Sequence, residues 1–274
     1  MSGSDKGYSH SKLVRINSAQ AANSSTSLTD WIAELGTTCQ QVGRVSFQSV
    51  VFNNNGYNIN GQTSSDPNNE FWFQLQPSGS VYQRFIAEGF YDTSQLMTAV
   101  AAQVATLGLG QSITLTQDPI SYKISLTYNP GTSGQTSFTI IANPPGRPRG
   151  SVWTSLGFAF NSVALSGVPI AATNLPALTG LRQVYLTSSN LSPSNQIDEK
   201  GDFQNVSVAI PVTAPFGAVN VWECKVDSLC QITYKTSRNI QRIDFQLRDE
   251  DGSVIDLHGS SVKVELRVWF NKAS

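Results

Sequence analysis

Between residues 112 and 143 the chain reads SITLTQD, YKISLTYN and QTSFTIIAN, punctuated by DP, NPGTSG and NPPG. Each run is rich in β-branched and aromatic residues, and each interruption carries the Pro, Gly or Asn that a turn requires. This texture recurs along the chain. SKLVRIN (11 to 17), VGRVSFQSVVF (42 to 52), NNEFWFQLQ (68 to 76), LRQVYLTSS (181 to 189), VSVAIPV (206 to 212) and QITYKT (231 to 236) all read as strands. Many short strands at close spacing predict an all-β sandwich, barrel or jelly roll.

One helix stands against this background. In YDTSQLMTAVAAQVATLG, residues Leu96, Met97, Val100, Ala101, Val104 and Leu107 share one face at helical spacing. Asp92 with Gln95 forms the pattern of a capping box, and Gly108 suits a left-handed C-cap, so a short amphipathic helix is expected around 92–107. Its alanine-rich middle suits close packing on a sheet, which makes it a structural helix.

Charged residues are 14% of the chain and the formal net charge is -1. Ser, Thr, Asn, Gln and Gly fill the outward positions instead. No basic tail or stripe of the kind nucleic acid requires is present, the densest candidate being Arg147 and Arg149 in NPPGRPRG. Direct nucleic-acid binding is therefore not expected. No run of about 18 apolar residues occurs, so no membrane-spanning helix is expected. The opening MSGSDKGYSHSK lacks the apolar core of a secretory signal, and residues 1–10 are expected to form a flexible arm. With no such signal, Cys39, Cys224 and Cys230 read as reduced thiols in a protein made inside a cell.

Chemistry needs converging titratable groups, and few are on offer. The histidines are His10, in the expected arm, and His258. No G-x-S-x-G elbow accompanies His258, and the C-x5-C of Cys224 and Cys230 has no second pair to complete a zinc set. No catalytic residue, metal site or cofactor is assigned, and the chain is not expected to be an enzyme. Two rivals are kept. A glycoside hydrolase needs only a carboxylate pair. A carbohydrate-binding attachment protein would use exposed aromatics such as Trp72, Trp153 and Trp222.

The segment IQRIDFQLRDEDGSVIDLHGSSVKVELRVWF, residues 240 to 270, gathers acids and a histidine. A calcium loop fails on spacing, because with Asp249 as position 1 Gly252 stands at position 4 rather than 6. A turn fits better, since Asp251-Gly252 is a strong hairpin dipeptide. Ile243, Phe245 and Leu247 alternate with polar residues before it, and Val262, Val264, Leu266 and Val268 alternate with Lys263, Glu265, Arg267 and Trp269 after it. Trp269 thus falls on the charged face. It either packs within the chain or anchors a subunit contact, and Trp269, Arg267 and Lys263 are the candidate interface residues.

At this point a resemblance emerges. INS (16 to 18) followed by SSTSLTDWIAEL is similar to the opening of the minor capsid (penton) proteins of virophages and of Polinton-like or adinto-type viruses. RVSFQSVVFNNNGYNIN (44 to 60) resembles that family's r-v-x-l-x-s-v-x-f-p-N-x-x-Y-N-I-N pattern, with Asn53 where a proline often stands. AEGFYDTSQLMTAVAAQV (87 to 104) resembles its G-x-Y entry to a helix, SLGF (155 to 158) its lLGF element, and AIPVTAPFGAVNVW (209 to 222) its strand pair. Residues 240 to 270 resemble its closing pattern, departing at Ser260-Ser261, where the family often has a bulky aromatic.

The resemblance implies a jelly-roll β-sandwich over 11–274 as a single capsid domain, with a loop-rich or inserted region at about 143–205. It implies a homopentamer at the five-fold vertices of an icosahedral virion, synthesised in the host cell interior. Its partners would be further copies of itself, neighbouring major capsid capsomers and a fibre, spike or other minor capsid protein. The alternative within this class is another minor capsid or spike-base role.

Overall fold

The fold is taken from a computed structural model that describes residues 8–21, 27–60, 68–108, 110–142, 151–178, 180–191, 196–197, 203–204, 206–226, 230–250 and 252–271. The chain opens with β1 (Tyr8–Asn17) and the long β2 (Asp30–Asn53). Next come β3 (Glu70–Gln76), β4 (Val81–Phe85), α1 (Thr93–Ala105), β5 (Ser112–Gln117), β6 (Ile124–Asn129) and β7 (Ser137–Ile141). A one-turn α2 (Val152–Ser155), β8 (Ser162–Leu165), β9 (Ile170–Ala171), β10 (Gln183–Thr187), β11 (Gln196–Ile197) and β12 (Phe203–Gln204) follow. The chain ends with β13 (Val206–Pro211), β14 (Val219–Glu223), β15 (Gln231–Arg248) and β16 (Val262–Asn271). The all-β class with one amphipathic helix is as the sequence indicates. No helix among the described residues is long and apolar enough to cross a membrane.

The chain divides into two compact units, residues 1–56 with 181–274, and residues 57–180. The sequence suggested one jelly-roll domain over 11–274 with a loop-rich or inserted region at about 143–205; the second compact unit spans 57–180. Both units are β-rich, so composition does not change at either boundary. Arg147 and Arg149 lie outside the described residues.

In the first unit all strands but the separate β11–β12 pair form one antiparallel sheet in the order β1-β16-β2-β15-β10-β13, with β14 also paired to β2. β2 is 24 residues long and carries two neighbourhoods. Its first half pairs with the end of β15, Trp31 opposite Phe245, whereas its second half has β16 on one side and the start of β15 followed by β14 on the other. Register shifts near Arg238 and Ile240 mark the corner. Extra residues on one strand bend it and deepen its twist. Gln41 supplies the sharpest point, with a left-handed φ of 55°, and its amide donates to Asn239 Oδ1 at 3.1 Å. Because the sheet curls there, Trp31 and Ala33 from one half and Val45, Phe47, Val50 and Phe52 from the other enter one core.

Residues 8–10, expected in a flexible arm, belong to β1, where His10 is registered against Phe270 and the two rings stack at 4.5 Å. The expected hairpin at Asp251-Gly252 also differs. β15 and β16 flank β2 on opposite edges and do not pair with each other. A tight turn does form there, with Gly252 at φ 83° and its amide on Asp249 O, but the connection then runs from beside Asp30 at the start of β2 to beside Phe52 near its end. Asp251 itself lies outside the described residues.

The second unit has sheets ordered β4-β3-β7-β8 and β5-β6-β9. Phe71, Phe73 and Leu75 from β3, Phe138 and Ile140 from β7, and Ile124, Leu126 and Tyr128 from β6 bury into one core. Trp153 is completely buried within it, edge-on to Phe71 at 5.2 Å and to Phe158 at 5.9 Å, with its indole N–H donated to Trp72 O. Such edge-to-face contacts suit the aromatic quadrupole and the polar tip alike. The capping box on α1 forms as expected, Gln95 N to Asp92 Oδ1 at 2.7 Å and Asp92 N to Gln95 Oε1 at 3.0 Å. Leu96, Val100 and Val104 face the core, and Gly108 takes φ 68°.

Candidate functional site, the outer face and edges of the large sheet

The acid-rich stretch that first suggested chemistry is spent on backbone. Asp249 Oδ1 accepts from Ser253 N at 2.9 Å, and Asp256 Oδ1 accepts from His258 N at 2.7 Å. His258 is exposed with φ 49°, next to Gly259 at φ 82°, so it occupies a turn. Ile255 and Leu257 dip between them into the core. Among the described residues no group of three or more His, Cys, Asp or Glu is placed to hold a metal.

The rival chemistries find little geometry. A groove of about 280 Å³ runs beside β1, yet its one carboxylate, Glu34, is ion-paired with Arg242 at 2.8 Å. Of the aromatics proposed to stack sugars, Trp153 is completely buried and Trp72 and Trp222 are half-buried. Cys224 and Cys230, expected as thiols, are joined in a disulfide that closes the β14–β15 connection, whereas Cys39 is a buried free thiol. Burial pushes the Cys39 thiol up, against a smaller opposing pull from Lys12.

What the fold does build is a broad outer face across β1, β16, β2 and β14. Pairing rows fix its composition: Arg15, Glu265, Ser49 and Glu223 share one row, and Asn17, Lys263, Val51 and Val221 the next. Arg15 Nε donates to Glu265 Oε2 at 2.8 Å. Lys263 and Arg267 are exposed here. Trp269 is only 8% exposed because Arg44, registered opposite it on β2, lays its guanidinium 4.0 Å above the ring. The same guanidinium is 4.8 Å from the Tyr8 ring. A cation between two rings is favoured by both π faces, so the aromatic on the charged face has a partner within its own sheet.

β14 entered the sequence reading only through the resemblance, as half of the strand pair at 209 to 222, and its facing was not read. Alternation alone would put Val219 and Val221 inside and Asn220 outside. The register does the reverse: Asn220 is 1% exposed, and both valines are 56% exposed. Asn220 Oδ1 accepts from Thr213 N at 3.0 Å, and its Nδ2 donates to Pro211 O at 3.2 Å. A buried amide that ties off the β13–β14 connection fixes this parity. The β5–β6 turn forms at Asp118-Pro119, as the sequence indicates, and leaves Ile120 88% exposed. The Ser121 amide and hydroxyl and the Ile120 amide bond Asp118 and hold its carboxyl below the usual carboxylate range.

The motifs that carried the resemblance sit at junctions. Ser18 Oγ accepts from Val262 N at 2.8 Å, joining the end of β1 to the start of β16. Asn58 Oδ1 accepts from Tyr91 N at 2.8 Å, while its Nδ2 donates to Tyr91 O and Leu178 O. Asn54 Nδ2 donates to Ala214 O at 2.8 Å, and Gly217 N to Asn54 O. Gly157 holds φ 93°, and a Cβ there would lie 2.3 Å from Asn174 O.

No family model matches the chain, and no characterised protein matches it in sequence. Among solved structures the chain is similar to the mavirus penton protein, at 11% identity and a TM-score of 0.48, over 94% of this chain and 99% of that one.

Proposed function

We propose that this chain is a structural capsid protein whose five copies form the vertex capsomer of an icosahedral virion of the virophage and Polinton-like lineage. The observation that carries the reading is the ordered series of penton-like motifs, whose residues tie strand ends together: Ser18 to Val262, Asn54 to Ala214, Asn58 to Tyr91. The role is architectural rather than enzymatic. The acids and histidine of the closing segment hold turns, and the groove carboxylate is paired.

The surface suits self-assembly. With a net charge of -1 on 274 residues, identical copies repel one another little. A ring needs a head-to-tail contact between two different patches of the same chain. The outer face supplies exposed cations at Lys263 and Arg267 around the covered Trp269, and these residues are assigned to subunit contact. Neighbouring major capsid capsomers, and a fibre or spike above the vertex, complete the expected partners.

The native mass of the purified chain tests the ring. A closed species of about 148 kDa, five times 29.6 kDa, is expected. A chain that stays at 29.6 kDa at every concentration removes the pentamer.

A further inference from the structure

The strands β1, β16, β2 and β14 form a four-strand strip with two open ends. Among the described residues β1 pairs only with β16, and β14 only with β2. We propose that the β14 edge of one copy pairs with the β1 edge of a second copy, head to tail, so that the sheet continues from subunit to subunit. This rests on the ring reading and names the contact that builds it.

Direction permits it. The three pairings inside the strip are antiparallel, so β1 and β14 run in opposite senses. Repeating the strip therefore places β14 antiparallel to β1 of the second copy, the commoner sheet geometry.

Edge chemistry selects β14. Natural sheets blunt a free edge with Lys, Pro or a bulge. β1 carries Lys12 and Arg15 and a register shift near His10. β14 has none of these devices: its register runs unbroken from Val219 to Glu223, and both valines stand outward. An inverted strand of this kind leaves apolar surface in water until a partner covers it.

Charge selects the second copy as that partner. In a head-to-tail repeat that keeps the rows aligned, Glu223 falls in the row of Arg15 from the second copy, and Val221 beside its Asn17. The Arg15 side chain is 79% exposed, and its guanidinium fork retains donors beyond the bond from Nε to Glu265. A groove of about 280 Å³ runs along β1, lined by Leu13, Ile16 and Leu35 together with Lys12, Arg15 and Glu34.

A cysteine pair tests the contact. Asn17→Cys with Val221→Cys puts thiols at opposite ends of one row, three strand spacings or about 14 Å apart within a chain. That is beyond disulfide reach, so bridging must occur between copies. Mild oxidation of the double variant is expected to give a covalent ladder up to the closed ring on a non-reducing gel, with neither single variant forming one. A dimer from Val221→Cys alone would show two-fold β14 pairing and overturn the head-to-tail contact. An oligomeric wild type whose double variant does not cross-link would overturn this edge assignment and leave the ring standing. A wild type that is only monomeric would remove the ring and this contact together. Val221→Asp, at an exposed position, serves as a check on folding effects. It should keep the native circular dichroism and weaken self-association at least about ten-fold; unchanged association would contradict the proposal.

Discussion

Asp244 offers the sharpest test of how the large sheet is held. Its carboxylate accepts from Ser189 N at 3.0 Å, Ser189 Oγ at 2.5 Å, Asn190 N at 3.0 Å and Ser188 Oγ at 3.2 Å, pinning the exit of β10 to β15. Hydrogen bonds to a charged acceptor contribute roughly 1.5–3 kcal/mol each. Ser189 and Asn190 are exposed, so water replaces much of what Asp244→Ala removes. We expect a loss of about 2–3 kcal/mol, and about 1 kcal/mol for Asp244→Asn, which keeps one acceptor oxygen. Partial burial pushes this carboxyl up, but the bonds from Ser189 and Asn190 outweigh it and leave the group below its ordinary value. A depressed native pKa means the stabilisation is complete above the unfolded value of about 3.9 and disappears as pH falls through the native one. The gap between wild type and Asp244→Ala should therefore be full at neutral pH and shrink below about pH 4. Native-state hydrogen exchange at β10 and β15 amides measures it. A change below about 0.5 kcal/mol at neutral pH, or a gap equally large in acid, would contradict this role for Asp244.

Other perturbations are expected to separate the two units. Trp153→Ala should cost about 3–5 kcal/mol by opening the aromatic core, seen as lost exchange protection in residues 57–180. Gly157→Ala combines a φ of 93° with a Cβ 2.3 Å from Asn174 O, and should cost about 2 kcal/mol or more in urea unfolding. Replacing Cys224 and Cys230 by Ser opens a short loop and should lower stability by about 2 kcal/mol, with added reductant giving the same shift in the wild type. His258→Gly removes a left-handed β-carbon and should be neutral or stabilising by up to about 1 kcal/mol in thermal melts.

The amphipathic strands around Phe245 and Leu266 were legible because each buries one face, and period-two alternation survives intact. The helix was legible because its caps and its apolar stripe agree. The first half of β2 was not, since DWIAELGTTCQQ spans a bulged corner where alternation breaks. Strand order was hidden too: nothing local reveals that β2 intervenes between β15 and β16. The inverted parity of β14 is set by the buried bonds of Asn220 to the β13–β14 connection, which only the register exposes. Alternation drew attention to Trp269 on the charged face, but its partner Arg44 lies 225 positions away along the chain and no local pattern reveals it.

A reconstruction of the assembled particle would show whether this chain occupies the vertex. Five copies of this chain around each five-fold axis, with the strip continuous from copy to copy, is the predicted result. Density for the chain only at positions off the five-fold axes would contradict it.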